Sequence, residues 1–424
     1  MFGSLFNGPA GHHAPNFHSV VKPDIVPTEL FGELEPKDIE WTIGSGFIAE
    51  TQTWYHSLKD GTFLLCQIIH SSVGMWYPTI QFTCKIVDPK SQEKTWKSLN
   101  VTNFATPPPP NSLRTFDKRS SKSDQFTVLH KETPSDAHQS WDDLQIFLTV
   151  SRPKGVPGFK LGRGPRGGFS YFGKDIEHPD GYVVHRFWPR THCAGHVIRK
   201  GKAIEANGTG MFVHAIQGMR PNLVAARWNF ADFQSDELGG TSAIQMEFTT
   251  TDAHGHKGSG SGGVRVNVGC VVIAEKLVAV TGETIWSDQP VTEDATVKSR
   301  AVHLQPEYDP DTEYKVPANL RFEWAGPSVS SIAKGDVKAV LDVDVGGRAA
   351  PKGLVEKVDV LAEIPFVLKA FVNYVAGTKP YVYQWLNPTS LVVTAPAALI
   401  DGTGEGEKTI SIPGVLFNEA TFIS

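Results

Sequence analysis

Residues 208–230 combine hydrogen-bonding side chains with an alternating apolar pattern. The polar and aromatic members of this stretch are His214, Gln217, Arg227, Trp228 and Asn229. Alternation is the period of a β-strand, so GTGMFVHAIQ and AARWNF predict a hairpin with a turn at GMRP. Polar groups on an inward strand face are costly unless something satisfies them. The hairpin therefore either lines a ligand cavity or holds a buried polar network, and the sequence leaves both open.

Two carboxylates near this stretch could take part in acid–base chemistry. Glu247, in a separate strand-like run, and Asp232 could each act as a general acid or base if buried beside Arg227 or His214. The same residues fit a structural ion pair, because a buried arginine needs a carboxylate partner. Both interpretations stay open at this point.

The motifs of common hydrolase and nucleotide-binding sites are missing: there is no GxSxG elbow, P-loop or HExxH helix. The cysteines lie far apart without metal-ligand spacing, at Cys66, Cys84, Cys193 and Cys270. We expect buried, reduced thiols, no metal site and no organic cofactor. Aromatic walls from Trp188, Trp228 and Trp385, with a few donors, fit holding an amphipathic small molecule better than hydrolysing one.

Composition and charge exclude several classes of protein. The chain has 424 residues, with 40 Lys and Arg against 45 Asp and Glu and a formal net charge of −5. This balance argues against a nucleic-acid-binding protein, which normally carries a basic stripe. Because there is no signal peptide and no apolar run of about 18 residues, we expect a cytoplasmic protein that is not secreted. The oligomeric state stays undetermined.

The order of elements predicts a mainly β protein. Short strand-like runs are joined by turns, and the Asp60-Gly61 turn is typical of a hairpin. Residues 366–375 form the one convincing helix-like run. Few helices and many short strands indicate barrels or sandwiches. We divide the chain into a flexible or docked N-terminal arm (1–30) and two β-domains (31–205 and 206–424).

Several longer motifs occur in an order that resembles a known family. They are residues 50–53 with the Asp60-Gly61 turn, 67–69, 185–190, 208–230, 232–235, 246–250, 266–269, 377–384 and 416–424. Together they resemble the fungal cell-survival factor family, and the likeness runs from about residue 40 to the C-terminal end.

The resemblance implies two lipocalin-like antiparallel β-barrel domains and a hydrophobic cargo, a ceramide-like sphingolipid, linked to survival of oxidative stress. It also implies a cytosolic protein with peripheral contact to secretory-pathway membranes through an amphipathic N-terminal helix. The sequence MFGSLFNGPAG departs from that pattern, because Gly8 and Pro9 follow about one turn of helix.

Arg190 and Tyr383 fall within matching motifs. The expected ligand-binding residues are therefore Trp188, Arg190, His214, Gln217, Arg227, Trp228, Asn229, Glu247 and Tyr383.

Two functions are compatible with the same expected cavity lining. The first is a carrier that shields a ceramide-like lipid inside a barrel or between two barrels. The alternative is a cofactor-independent cyclase or isomerase of a hydrophobic natural product, which folds its substrate and places a few donors. In that case Glu247, His214 and Arg227 would be the catalytic groups.

Overall fold

A computed structural model of the chain describes residues 15–22, 25–72, 78–110, 115–130, 135–140, 144–256, 263–293, 295–363 and 379–423. Within these ranges the protein is mainly β, with two antiparallel sheets and a few short helices, which confirms the predicted fold class. The helices are three 3-10 turns (Pro27–Glu29, Pro36–Ile39, Glu237–Gly239) and α1 (Pro221–Val224), α2 (Val360–Glu363) and α3 (Ala397–Ile400).

The first sheet contains fifteen of the described strands, and its main path runs β6-β5-β4-β3-β15-β13-β10-β9-β8-β7. Their bounds are β1 Phe17–His18, β2 Phe31–Glu33, β3 Ile48–Leu58, β4 Phe63–Ser72, β5 Thr79–Val87, β6 Lys94–Asn100, β7 Ser121–Lys122, β8 Phe126–Leu129, β9 Ser135–Ser140, β10 Leu144–Ser151, β11 Phe159–Leu161, β12 Phe169–Phe172, β13 Gly181–Arg199, β14 Lys202–Glu205 and β15 Gly208–Gln217.

The second sheet contains ten of the described strands, and its main path runs β19-β18-β17-β16-β25-β24-β22-β21-β20. Their bounds are β16 Arg227–Ser235, β17 Thr241–Thr249, β18 Arg265–Ile273, β19 Lys276–Ile285, β20 Lys298–Asp309, β21 Tyr314–Pro327, β22 Asp336–Asp344, β23 Leu354–Asp359, β24 Tyr381–Pro396 and β25 Glu407–Phe422.

Local sequence explains many of these strands. In β10 the residues LQIFLTVS alternate strictly between buried and half-buried positions, as expected for a strand with one face on a core. The predicted Asp60-Gly61 turn connects β3 and β4. Gly61 has a φ of 96°, which favours glycine, and the Asp60 carboxylate accepts the Thr62 N–H at 2.8 Å.

Each sheet curls until strands near its two ends meet. In the first sheet, the rings of Phe82 on β5 and Phe126 on β8 lie 5.7 Å apart between centroids, although the two strands are far apart along the sheet path. In the second sheet, Ala279 on β19 forms a bridge with Ser328, which directly follows β21. We call the two curled sheets the first barrel and the second barrel. Each encloses its own buried hydrophobic core.

A third hydrophobic cluster joins the two barrels. Phe63 of the first barrel stacks on Phe417 of the second, with centroids 4.4 Å apart. Tyr55 and Phe230 make a similar contact at 4.9 Å. Because these strands also face a barrel core on their other side, they are apolar on both faces. Burial of apolar area, at about 25 cal/mol per Å², therefore holds the barrels together.

The described part of the N-terminal arm is docked across both barrels. Phe17 on β1 is only 1% exposed and sits in a fourth hydrophobic cluster. Its ring contacts Phe172 of the first barrel and Phe248 and Trp286 of the second, at centroid distances of 5.1, 6.3 and 6.3 Å. A packed aromatic ring thus anchors residues 15–22 at the junction of the two sheets.

The prediction that residues 208–230 form a hairpin is wrong. β15 pairs with β13 and β3 in the first sheet, whereas β16 pairs with β17 and β25 in the second. A hairpin needs a loop of about two to five residues, and here residues 218–226, including α1, carry the chain from one sheet to the other. The change of sheet falls after β15, while the domain boundary at 205/206 stays a prediction.

Other sequence-based expectations have different outcomes. Cys66, Cys84, Cys193 and Cys270 are buried and free, as predicted. The helix expected at residues 366–375 lies outside the described residues. Among the described residues, none of the helices has the length and apolar character needed to cross a bilayer.

Candidate functional site

His214 lies inside the first barrel in a buried ion pair with Glu50. The Nε2 atom of His214 is 2.8 Å from a Glu50 carboxylate oxygen, and Nδ1 is 3.0 Å from the Asp38 carbonyl oxygen. Both ring nitrogens face acceptors, so a doubly protonated ring beside an ionised carboxylate satisfies this geometry. Burial raises the pKa of Glu50, but the hydrogen bond and charge of His214, together with the hydrogen bonds from Thr42, lower that pKa overall.

The network continues to Asp38, a buried carboxylate with two cationic partners. The Lys160 ammonium donates to its oxygens at 2.7 and 2.8 Å, and the Arg186 guanidinium lies 3.3 Å away. All three side chains are buried. Burial lowers the pKa of Arg186, and the nearby Asp38 and Glu50 charges counteract that effect. This cluster holds the segment before β3 against β11 and β13.

The sequence interpretation did not single out Glu50, Asp38, Lys160 or Arg186. A signal existed for Glu50, because the run AETQTWYH places it on the same strand face as Gln52 and Trp54. A carboxylate on the apolar face of a predicted strand needs a partner, and His214 on another strand was the available cation. No such periodic signal exists for Asp38, which lies in a 3-10 turn.

Glu247 lies inside the second barrel and is held by amides. It accepts hydrogen bonds from Asn229 Nδ2 at 2.9 Å, Asn267 Nδ2 at 3.1 Å and the Ala301 N–H at 3.2 Å. Among the described ion pairs within 4 Å, none joins Glu247 to Arg227. Burial lowers the pKa of Arg227 and Glu247 raises it, so the charges interact at longer range.

Arg190 lies between the barrels and is 1% exposed. Its Nη1 atom donates to the Ser235 carbonyl at 3.0 Å, the Thr241 carbonyl at 3.1 Å and the Gln234 side-chain oxygen at 3.1 Å. A guanidinium can serve several acceptors at once in a fixed plane. Arg190 therefore connects β13 of the first barrel to the strand ends of β16 and β17 in the second.

The tryptophans predicted to line one cavity also lie in different parts of the molecule. Trp188 packs inside the first barrel on Phe212, with centroids 4.6 Å apart. Trp228 packs at the junction of the barrels against Phe248, at 5.2 Å. These two rings therefore line different spaces.

The remaining predicted ligand-binding residues lie at the barrel ends. The Tyr383 hydroxyl donates to Asp309 Oδ2 at 2.6 Å, beside a pocket of about 240 Å³ at one end of the second barrel. Burial and the Asp309 hydrogen bond raise the pKa of Tyr383. Gln217, the last residue of β15, donates to the Met219 carbonyl oxygen at 3.4 Å.

The nine predicted ligand-binding residues thus do not converge on one pocket. His214 and Trp188 lie in the first barrel, Asn229 and Glu247 in the second, and Arg190 between them. The proposed catalytic groups His214, Glu247 and Arg227 are likewise divided between two barrels. Strand alternation predicts which residues share a face, but not which sheet a strand joins. Ligand binding by these nine residues stays a prediction.

A cleft of about 770 Å³ lies at the junction of the barrels. Residues 15–22 of the docked arm form one wall, and residues 161–171 of the first barrel form another. Its apolar surface includes Val21, Ile25, Leu161, Phe169, Tyr171 and Trp286. A neighbouring groove of about 380 Å³ shares the lining residues Val21, Ile25 and Trp286 with this cleft.

The cleft lining also carries polar groups, among them His18, Ser19, Lys22 and Glu29. Arg163 and Arg166 are exposed, and Arg166 pairs with the equally exposed Glu177 at 2.6 Å. His256 stacks on Trp286, with centroids 4.4 Å apart, and also contacts Asp288. A lining that combines apolar and polar groups fits an amphipathic molecule.

Comparison with known proteins decides the family. The sequence profile of the Svf1 family matches residues 4–424. The chain belongs to this family. The ceramide-binding protein svf1 of Schizosaccharomyces pombe is 30% identical over 93% of the chain and 90% of its own length. The ceramide-binding protein SVF1 of Yarrowia lipolytica is 34% identical over 93% of the chain and 91% of its own length.

A solved structure shares the fold of this Svf1 family member. The crystal structure of a candidate AttH protein from Nitrosomonas europaea is similar with a TM-score of 0.50. The match covers 95% of the chain and 99% of that protein, at 10% sequence identity. At this identity the likeness shows the fold alone, a lipocalin-like double β-domain, as the sequence resemblance implied.

Proposed function

We propose that the protein binds a ceramide-like lipid in the cleft between its two barrels and carries it between membranes. The cleft itself is the main support, because its volume of about 770 Å³ lies within the range of about 300–1,000 Å³ typical of small-molecule sites. Burying acyl chains against its aliphatic and aromatic wall is favourable at about 25 cal/mol per Å². The names of the relatives, ceramide-binding proteins, support the same lipid class.

The location of the cleft is consistent with loading and release. The docked arm contributes one wall through residues 15–22, and the Phe17 ring packs it against Phe172. Lipid could enter where the arm borders the two barrels, without opening either barrel. Action in the cytoplasm with peripheral contact to secretory-pathway membranes, and a link to stress survival, belong to this proposal.

Replacing Ile25 with aspartate should abolish most lipid binding. Ile25 lines both the cleft and the neighbouring groove, and a carboxylate there would have to lose water against an acyl chain. We expect the Kd for a fluorescent short-chain ceramide to rise about ten-fold or more. Fluorescence titration measures this Kd, and lipid extraction from the purified native protein identifies its natural cargo.

The matched control is Ile332→Asp, which makes the same change at an exposed isoleucine outside the cleft. That variant should bind ceramide like the native protein. If both variants bind equally well, the cleft is not the lipid site. If the native protein neither carries nor binds a ceramide, the proposed function itself is wrong.

A further inference from the structure

The end of the first barrel near Glu50 contains a charged pair whose hydrogen-bonding capacity is already filled. The Glu50 carboxylate accepts bonds from the Thr42 N–H, the Thr42 hydroxyl and the Ile43 N–H at 2.8–3.1 Å, besides His214. His214 in turn uses both ring nitrogens. This pair therefore leaves no free group for a ligand, and its role is structural.

Three neutral groups beside this pair do have unmet capacity. Trp41 Nε1 and Gln52 Oε1 have no hydrogen-bond partner, and His70 Nδ1 has none beyond its own main chain. The three side chains are 1%, 0% and 1% exposed. Each unsatisfied buried group costs about 1–3 kcal/mol. Orphaned groups of this kind normally meet water or a ligand.

Gln52 and His70 lie on the adjacent strands β3 and β4, and Trp41 lies in the segment before β3. Gln52 is the direct cross-strand partner of His214, and His70 is the direct partner of Glu50. The Trp41 ring lies 6.3 Å from the His214 ring. Phe104 contacts the rings of both Trp41 and His70, at 5.8 and 6.3 Å, so these two side chains pack against the same ring.

The chemistry of the free atoms defines what would satisfy them. An indole N–H only donates, an amide oxygen only accepts, and an imidazole nitrogen can do either. The ligand group must therefore present an acceptor and a donor together, as a hydroxyl or a primary or secondary amide does. A charged group would be buried without a free counter-charge, which is costly. Apolar neighbours such as Leu64 and Ile68 suit a short hydrocarbon chain attached to that group.

We infer that this end of the first barrel is a second binding site, which takes a neutral hydroxyl- or amide-bearing amphipath through Trp41, Gln52 and His70. The site is independent of the proposed lipid cleft. The cleft lies at the junction of the barrels, whereas these three side chains face the interior of the first barrel.

Hexanamide is a suitable probe, and the indole N–H signal of Trp41 in a ¹H–¹⁵N spectrum reports its binding. A Trp41→Phe variant assigns that signal among the ten tryptophans. We expect a saturable shift with hexanamide, and binding about three- to ten-fold weaker for N,N-dimethylhexanamide, which lacks the donor for Gln52. Hexanoate should cause no shift.

Two variants test the residues themselves. Gln52→Leu and His70→Phe should each weaken hexanamide binding about three- to ten-fold, and the second keeps the test valid if the first fails to fold. Gln145→Leu on the outer face of β10 is the matched control, and it should bind normally. Ile25→Asp should also bind hexanamide normally, which separates this site from the cleft.

The inference is overturned if hexanamide gives no saturable shift at Trp41, or if the Gln52 and His70 variants bind it as well as the control. A crystal structure grown with hexanamide that shows only ordered water on these three groups would equally reject it. Density for the amide on Trp41 and Gln52 would support it.

Discussion

Asp38→Asn lowers the free energy of unfolding by about 3–5 kcal/mol, the expected cost of removing one partner from a buried ion pair. Asp38 is the carboxylate that both Lys160 and Arg186 contact, at 2.7 and 3.3 Å. Without its charge, two buried cations lose their nearest anion. Guanidinium chloride unfolding followed by tryptophan fluorescence measures the change.

Asp342→Asn is the matched control for this experiment. Asp342 pairs with Arg321 at 2.7 Å, but about half of each side chain is exposed. Exposed pairs contribute about 0–1 kcal/mol, so the control should change stability little. Similar losses in both variants would show that the buried cluster does not carry the stability assigned to it.

Asp232→Asn stabilises the protein at neutral and alkaline pH, by about 2–4 kcal/mol at pH 8. Asp232 faces the contact between the barrels and is 3% exposed. Burial raises its pKa from 3.8 to about 7, although Gln234 and Arg190 act in the opposite direction. The asparagine keeps the oxygen that accepts the Gln234 amide at 2.7 Å and removes the ionisable group.

The pH dependence has a defined sign. Below pH 3.8 Asp232 is protonated in both the folded and the unfolded state, and its contribution to stability is fully present. As pH rises towards about 7 the unfolded chain loses the proton while the folded protein keeps it, so stability falls. Above that pH the loss is complete. The variant should therefore match the native protein near pH 4 and exceed it increasingly up to pH 8.

Unfolding titrations at several pH values measure the difference in free energy of unfolding between the variant and the native protein. Taking this difference removes the contribution of the other titrating groups. Asp342→Asn again serves as the surface control, with a difference below about 1 kcal/mol at each pH. A difference for Asp232→Asn that is flat with pH, or that grows towards acid, would contradict the assigned pKa.

Much of the fold could be predicted from local patterns. The alternation in β10 and the Asp60-Gly61 turn predict structure directly, because strand period and turn chemistry are local properties. The burial of the four cysteines also followed from their composition and spacing. The hairpin at 208–230 could not be predicted correctly, because pairing partners of a strand lie far away in sequence.

Less of the candidate site could be predicted from the sequence. Inward-facing polar residues such as His214 and Glu247 were recognised, but the sequence placed them around one cavity. Their partners come from distant positions: Glu50 lies 164 residues from His214, and Asp38 lies 122 residues from Lys160. The cleft itself forms between the docked arm and two barrels, so no single segment contains a signature of it.

By itself, the amino-acid sequence determined the β-rich class, the family likeness and which residues share a strand face, since each depends on neighbours along the chain. Only the tertiary structure decided that β15 and β16 belong to different barrels, and that Asp38 and Glu50 hold the buried cations. The physical reason is that burial and charge pairing are set by contacts between remote segments, which strand periodicity does not encode.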